Sequence, residues 1–285
     1  MGIALAILAL FSWGVGGFLV QKSARKFGDW LSLFYICAIG VILVSPFVYH
    51  EIFKLTIKDI IFLLFVSMVI LFAALFDFEA YKKGKLVVVE SINSFELPIA
   101  ALLASLILGE TLSFRQWSLI VVLFVGIFLI STKDFSHFRK SRLEKGVWLA
   151  GLATIGMGMT DFLFGVGGRE TSPLMINWFT DVVLTFVCFG YLFYKSRLKE
   201  IIPDFKANKS LILGVSLFDN AAWIAYTYSM SYIPIAIATG LSEGYIVLSS
   251  CLGLFINKER LKIHQLFGLA VCVVAAIALA YTVEV

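Results

Sequence analysis

The sequence predicts an all-α integral membrane protein of ten transmembrane helices, arranged as two inverted five-helix halves. Three observations predict it: apolar runs of about 20 residues, a one-sided distribution of basic residues, and a short motif that recurs at a fixed offset. The 285 residues are 60% hydrophobic and only 15% charged, with a mean hydropathy of +0.96. Soluble domains run about 45–50% apolar and about 25% charged, so both departures point to lipid. A helix of about 20 apolar residues crosses ~30 Å of hydrocarbon. The ~10-residue alternating segments of a β-barrel do not occur.

Taken in order, the apolar runs place helices over about 2–21, 31–49, 60–80, 86–108, 115–132, 147–167, 173–194, 210–230, 235–256 and 263–283. The first begins at Gly2 with no basic region before it and no small-residue cleavage site, so it reads as a retained helix. Connections are short. The longest, Lys133–Lys145 and Lys195–Lys209, are basic and polar, and no segment is left for a soluble domain. Of the 23 Lys and Arg, 19 fall in the odd-numbered loops, which places those loops in the cytoplasm and both termini outside. All four cysteines sit in apolar runs and read as packing residues.

The halves come from an internal repeat. Leu108-Gly109-Glu110-Thr111-Leu112 is followed by Gln116, and Asn257-Lys258-Glu259-Arg260-Leu261 by Gln265; both Glu and Gln recur after 149 positions. Each cluster joins the fourth and fifth helix of a half, giving units of 1–133 and 146–285. Five is odd, so the second unit enters the membrane the opposite way round, as in secondary transporters. The residues at Glu110, Gln116, Glu259 and Gln265 are expected to be structural, with each Glu capping the helix that follows it.

These features together resemble the EamA family of the drug/metabolite transporter superfamily. The resemblance rests on the five-plus-five helix count, the pair Trp13-Gly14 in the first span, and the repeated Gly-Glu turn with its Gln. It departs at Lys258, where the first copy has Gly109, and at Leu119, where the second has Gly268. It implies a transporter of a small solute, with a cavity between the halves lined mainly by the third, fourth, eighth and ninth helices, and it adds Trp13 to the residues of that pathway.

The acids within the spans are the chemical signal: Asp77, Glu79, Glu90, Glu96, Asp161, Asp181, Asp219 and Glu243, with no Lys or Arg at comparable depth. One Asp at a helix centre costs ~2.5–3.5 kcal/mol, while a whole fold is stable by only ~5–15 kcal/mol, so eight ions cannot all face lipid. Asp77 and Glu79, near Lys82 and Lys83, are expected at the interface in ion pairs. The deeper acids have polar company at helical spacing. Thr239, Ser242 and Glu243 share a face, and so do Glu90, Asn93 and Ser94. Asp219, Trp223 and Tyr226 form a line; Asp161 follows Thr160, and Asp181 sits with Asn177 and Trp178. Carboxylates beside aromatics suit a cation.

The expected function is a multi-pass cell-membrane carrier for a small polar or cationic solute, working by alternating access, with a carboxylate that exchanges protons for solute and Glu243 foremost. A cation-selective channel and a membrane enzyme are the alternatives. The second is disfavoured because His50, His137 and His264 lie in loops or at span ends and no metal-ligand spacing occurs. No cofactor, no metal and no nucleic-acid partner are expected; the partners are the solute, the bilayer and a proton. The stripe Gly268, Cys272, Ala276, Ala280 allows close helix packing or a homodimer, and leaves monomer or homodimer open.

Overall fold

The computed structural model describes residues 1–83, 89, 92–131, 145–246, 248 and 262–282. All regular structure among them is helical: α1 Gly2–Phe27, α2 Asp29–Ile52, α3 Ile57–Lys83, α4 Glu96–Leu108, α5 Phe114–Ser131, α6 Lys145–Glu170, α7 Pro173–Tyr194, α8 Leu198–Ala207, α9 Lys209–Tyr232, α10 Ile235–Ser242 and α11 Ile263–Tyr281. Five apolar helices of 22 to 27 residues (α1, α2, α3, α6 from Trp148, and α7) are long enough to cross a membrane; α4, α5 and α11 are shorter apolar helices. Large side chains such as Phe47, Leu106, Phe186 and Val274 stay exposed on the outside, the surface a bilayer would cover.

The connection Lys195–Lys209, read from the sequence as a loop, contains the short helix α8. Its apolar residues Leu198, Ile201 and Phe205 pack toward Phe27, Tyr35 and Ile212, while Lys199 and Lys206 face out. The Tyr35 hydroxyl donates to the Ile201 carbonyl at 2.8 Å. Only ten residues long and amphipathic, α8 is too short to span and suits the interface.

The two halves interleave. The most extensive packing pairs α1 with α9, α3 with α6, α2 with α7 and α5 with α11; α4 lies on α6, and α10 on α1. Close approach in the α5–α11 pair depends on Gly126, where an added Cβ would come within 2.7 Å of Cys272 Sγ and 3.1 Å of the Gly268 carbonyl. Cys272 Sγ lies 3.8 Å from the Leu123 carbonyl. Gly268 and Cys272, the first two residues of the stripe, therefore pack on α5 within the chain.

Two helices are interrupted. The chain turns at Ser94 and Phe95 just before α4, where Phe95 N–H donates to Ile92 O at 3.0 Å. It turns again at Glu243 and Gly244 just after α10, where Gly244 N–H donates to Leu241 O at 3.3 Å. Both are three-residue bonds that tighten a helix end. The bonded pairs 92/95 and 241/244 are separated by 149 residues, the offset of the sequence repeat. Pro98 follows the first turn and brings no N–H to the carbonyl four residues earlier.

The repeated turn does something other than expected. Glu110 does not cap the helix that follows it. Its Oε2 accepts from the backbone N–H of Ile235 at 2.9 Å, so it caps α10, 125 residues further along the chain. The next helix, α5, is capped by Ser113 and Gln116: Ser113 N–H donates to Gln116 Oε1 at 2.9 Å and Gln116 N–H to Ser113 Oγ at 3.2 Å, a reciprocal capping box. Gln265 accepts likewise from Lys262 N–H at 3.0 Å before α11. The recurring Gln is a cap in both copies. Glu259 lies outside the described residues.

Candidate functional site

One cavity lies between the halves, lined by residues of α1, α2, α3, α6, α7 and α9 and of the two interrupted segments. It leaves about 130 Å³ for the centres of water-sized molecules. At the ~30 Å³ each water takes in the liquid, that is room for about four waters or a small solute. Among the described residues, its wall carries six carboxylates, Asp77, Glu96, Asp161, Asp181, Asp219 and Glu243, and no Lys, Arg or His.

Three acids converge. Carboxylate oxygens of Glu96, Asp161 and Glu243 all lie within 4.8 Å of one another, and all three residues are buried. Their positions follow from local structure. Glu96 opens α4 directly after the first turn, and Glu243 stands at the C-terminal end of α10 at the second. Asp161 comes from the middle of α6, where Gly158 lets that helix approach the backbone of Glu96: an added Cβ there would sit 3.1 Å from the Glu96 carbonyl. Tyr226 touches Asp161, and its hydroxyl is 2.6 Å from Thr239 Oγ1, with either atom able to donate. Thr239 and Ser242 also turn back onto their own helix, donating to Ile235 O at 2.9 Å and Ala238 O at 2.7 Å.

An aromatic group stands beside the acids. The Trp13 ring centroid is 5.2 Å from both Trp223 and Tyr226 and 6.0 Å from Tyr245, and Phe164 packs at 4.8 Å from Trp223. Trp13, Phe164, Trp223 and Tyr245 line the cavity. The line Asp219, Trp223, Tyr226 read from helical spacing is present: the first two face the cavity, and Tyr226 lies behind them, almost fully buried.

A second acid, Asp77, overturns an expectation. It is not interfacial: it is 8% exposed and lines the cavity. Asn93 Nδ2 donates to its Oδ1 at 3.0 Å and approaches Tyr81 Oη at 3.3 Å, while Thr154 Oγ1 donates to Asn93 Oδ1 at 3.2 Å. Glu79 behaves as expected, paired with Lys82 at 2.5 Å and with Lys83. Two residues apart on a helix, 77 and 79 point about 200° apart, which is the signal that separates them. Ile70, Ala74, Asp77 and Tyr81 form one face, and that face lines the cavity.

Asp181 and Asp219 are half-buried on the far wall. Gly40 of α2 is required there, because a Cβ would overlap Asp181 Oδ2 and Asn220 Oδ1. Asn220 Nδ2 donates to Ile36 O at 3.1 Å and Ser216 O at 2.9 Å, so its carbonyl oxygen is the atom left to face Asp181. Asn177 lines the cavity and donates to Thr227 Oγ1 at 3.0 Å. Trp178 is not on the wall: its indole N–H donates to Ser45 Oγ at 2.8 Å. Ser242 is buried against its own helix rather than on the wall, and Glu90 lies outside the described residues.

At one end of the bundle, an ion pair crosses from the first half to the second. Arg169 Nη1 is 2.7 Å from Glu110 Oε1, and the same guanidinium donates to Met230 O at 2.8 Å and Ile233 O at 3.3 Å. Arg169 thereby ties the end of α6 to the end of α9, and Glu110 ties both to the start of α10. Ser172 and Glu51 make a further hydrogen bond at this end.

An all-helical bundle with long apolar helices and an acid-lined cavity between its halves defines a multi-pass membrane protein. The model of the EamA-like transporter family matches residues 1–132 and again 144–281, and the chain belongs to that family. An uncharacterised protein of Haemophilus influenzae (strain Rd) is 29% identical over 198 residues, 66% of this chain and 63% of that protein, so the chain matches less than two thirds of that relative's length. A solved crystal structure superposes with a TM-score of 0.76 over 99% of this chain and 97% of its own, at 13% identity. That likeness concerns the fold alone.

Proposed function

We propose that this chain is a secondary transporter of ten spans in two inverted five-helix halves, moving a small polar or cationic solute by alternating access through the cavity between them. The observation that carries it is the cavity wall: among the described residues it has six carboxylates and an aromatic group and no basic side chain. An ammonium-type solute gains ion pairing from the acids and cation–π attraction from Trp13 and Trp223, each such ring contact being about 0.5–2 kcal/mol.

The packing supports the inverted arrangement. A two-fold that exchanges first and sixth spans, second and seventh, and so on, maps the α1–α9 contact onto α6–α3 and the α4–α6 contact onto α10–α1. It maps α2–α7 and α5–α11 onto themselves. Leu123 and Cys272, the pair in contact between α5 and α11, are themselves 149 residues apart, as expected of equivalent positions beside such an axis. The two helix interruptions also share that offset and flank the acids, the construction in which broken helices present their ends to a solute or coupling ion.

Glu243 is the residue on which coupling turns in this reading. Uptake of a cationic solute into reconstituted vesicles, driven by an imposed pH gradient, should saturate with solute in the wild type. It should lose its response to the gradient in Glu243→Gln. Undiminished proton-driven flux in that variant would remove Glu243 from the mechanism, and flux that never saturates would favour a channel.

A further inference from the structure

We propose that Glu96, Asp161 and Glu243 form a binding site for a hard divalent cation of the magnesium, calcium or manganese class. The proposal goes beyond solute transport but rests on the same cavity. The ligand chemistry is the first argument. Three carboxylates with hydroxyls nearby and no Cys or His select hard cations, which take oxygen ligands at about 2.0–2.6 Å. Two oxygens on opposite sides of such an ion stand up to ~5 Å apart, and here all three lie within 4.8 Å of one another.

The second argument is an unmet atom. Asp161 is 4% exposed, and its Oδ2 has no hydrogen-bond partner among the described residues. An acceptor buried without a partner loses its water and gains nothing in return, and a cation in the cluster supplies the partner. The Tyr226 hydroxyl has one proton, and Thr239 Oγ1, which gives its own to Ile235 O, lies 2.6 Å away to take it.

Backbone electrostatics give the third. α10 runs Ile235–Ser242 and ends at Glu243, so the negative end of its dipole points into the cluster, the polarity that favours a cation. Among the described residues, no Lys or Arg lines the cavity wall to oppose this. One proton can bridge only two carboxyl groups, whereas a divalent ion bridges three. The set escapes spacing rules because its members stand at positions 96, 161 and 243, on three separate segments.

The test is equilibrium binding of Mn²⁺ to the purified full chain in detergent at pH 7.5, read as loss of the free-ion electron paramagnetic resonance signal. One Mn²⁺ should bind per chain, be displaced by Ca²⁺ or Mg²⁺, and weaken at least tenfold in Glu96→Gln, Asp161→Asn and Glu243→Gln. Glu200→Gln, in α8 and absent from the cavity wall, should bind as the wild type does. A readout needing no variant guards against misfolding. Paramagnetic Mn²⁺ should quench the tryptophan fluorescence of the wild type over the same concentration range, because Trp13 and Trp223 pack on Tyr226 beside the cluster, and Ca²⁺ should restore it. Absence of stoichiometric Mn²⁺ binding, binding unchanged in all three variants, or displacement by equimolar Na⁺ would overturn the proposal. Because binding is measured without flux, its failure leaves the transport reading standing, and a failure of transport leaves the ion site standing.

Discussion

At the scale of single residues, the cavity depends on small, exact fits as much as on its acids. Gly40 is the clearest case: Asp181 Oδ2 and Asn220 Oδ1 occupy the space a methyl group would need. Overpacking a close-packed interior costs about 1–3 kcal/mol, so Gly40→Ala should lower the midpoint of thermal unfolding in detergent and weaken solute binding together. Unchanged stability would mean that α2 can move away from Asp181. The acids themselves were legible from the sequence as unpaired charges in apolar runs, but their ranking was not. Asp77 lies five residues before Lys82 and reads as interfacial, yet it faces Asn93; Glu79, two positions on, faces the lysines. Depth along a helix is visible in a sequence, whereas the direction of one side chain depends on what packs beside it.

At the scale of elements, the repeated turn separates into two roles. Gln116 and Gln265 are local caps, as their position three residues after the cap residue allows. Glu110 reaches across to α10 and Arg169. Glu110→Ala should therefore cost more than an ordinary cap, whose loss is about 0.5–2 kcal/mol, because it also leaves a partly buried guanidinium without its acid. In a double-mutant cycle with Arg169→Gln, thermal unfolding should show the two substitutions to be strongly non-additive. Additive effects would mean that the ion pair contributes nothing of its own. A tie between α6, α9 and α10 at one end of the bundle is also where alternating access would require a contact to break, so both variants are expected to change transport rate more than solute affinity.

At the scale of the whole molecule, orientation remains a prediction of charge. The odd loops should face the cytoplasm, and Lys199 and Glu170, both exposed, lie on opposite sides in that arrangement. In a chain with its four native cysteines changed to serine, Lys199→Cys should be labelled by an impermeant thiol reagent only from the cytoplasmic side, and Glu170→Cys only from outside. The reverse pattern would invert the protein in the membrane without altering its fold. The close seating of Gly126 on Cys272 ties α5 to α11, one helix from each half, within one chain.

The sequence by itself determined the membrane class, the helices to within a few residues over most of the described chain, the repeat offset and the acids, because hydrophobic runs, charge placement and self-similarity are one-dimensional properties. Tertiary structure decided which acids meet. Glu96, Asp161 and Glu243 converge only because α6 comes close against the backbone of Glu96 at Gly158 and two helices are interrupted at positions 149 residues apart. It also decided that Glu110 caps a helix 125 residues away. Both outcomes depend on side-chain direction and inter-helix distance, and a linear pattern holds neither.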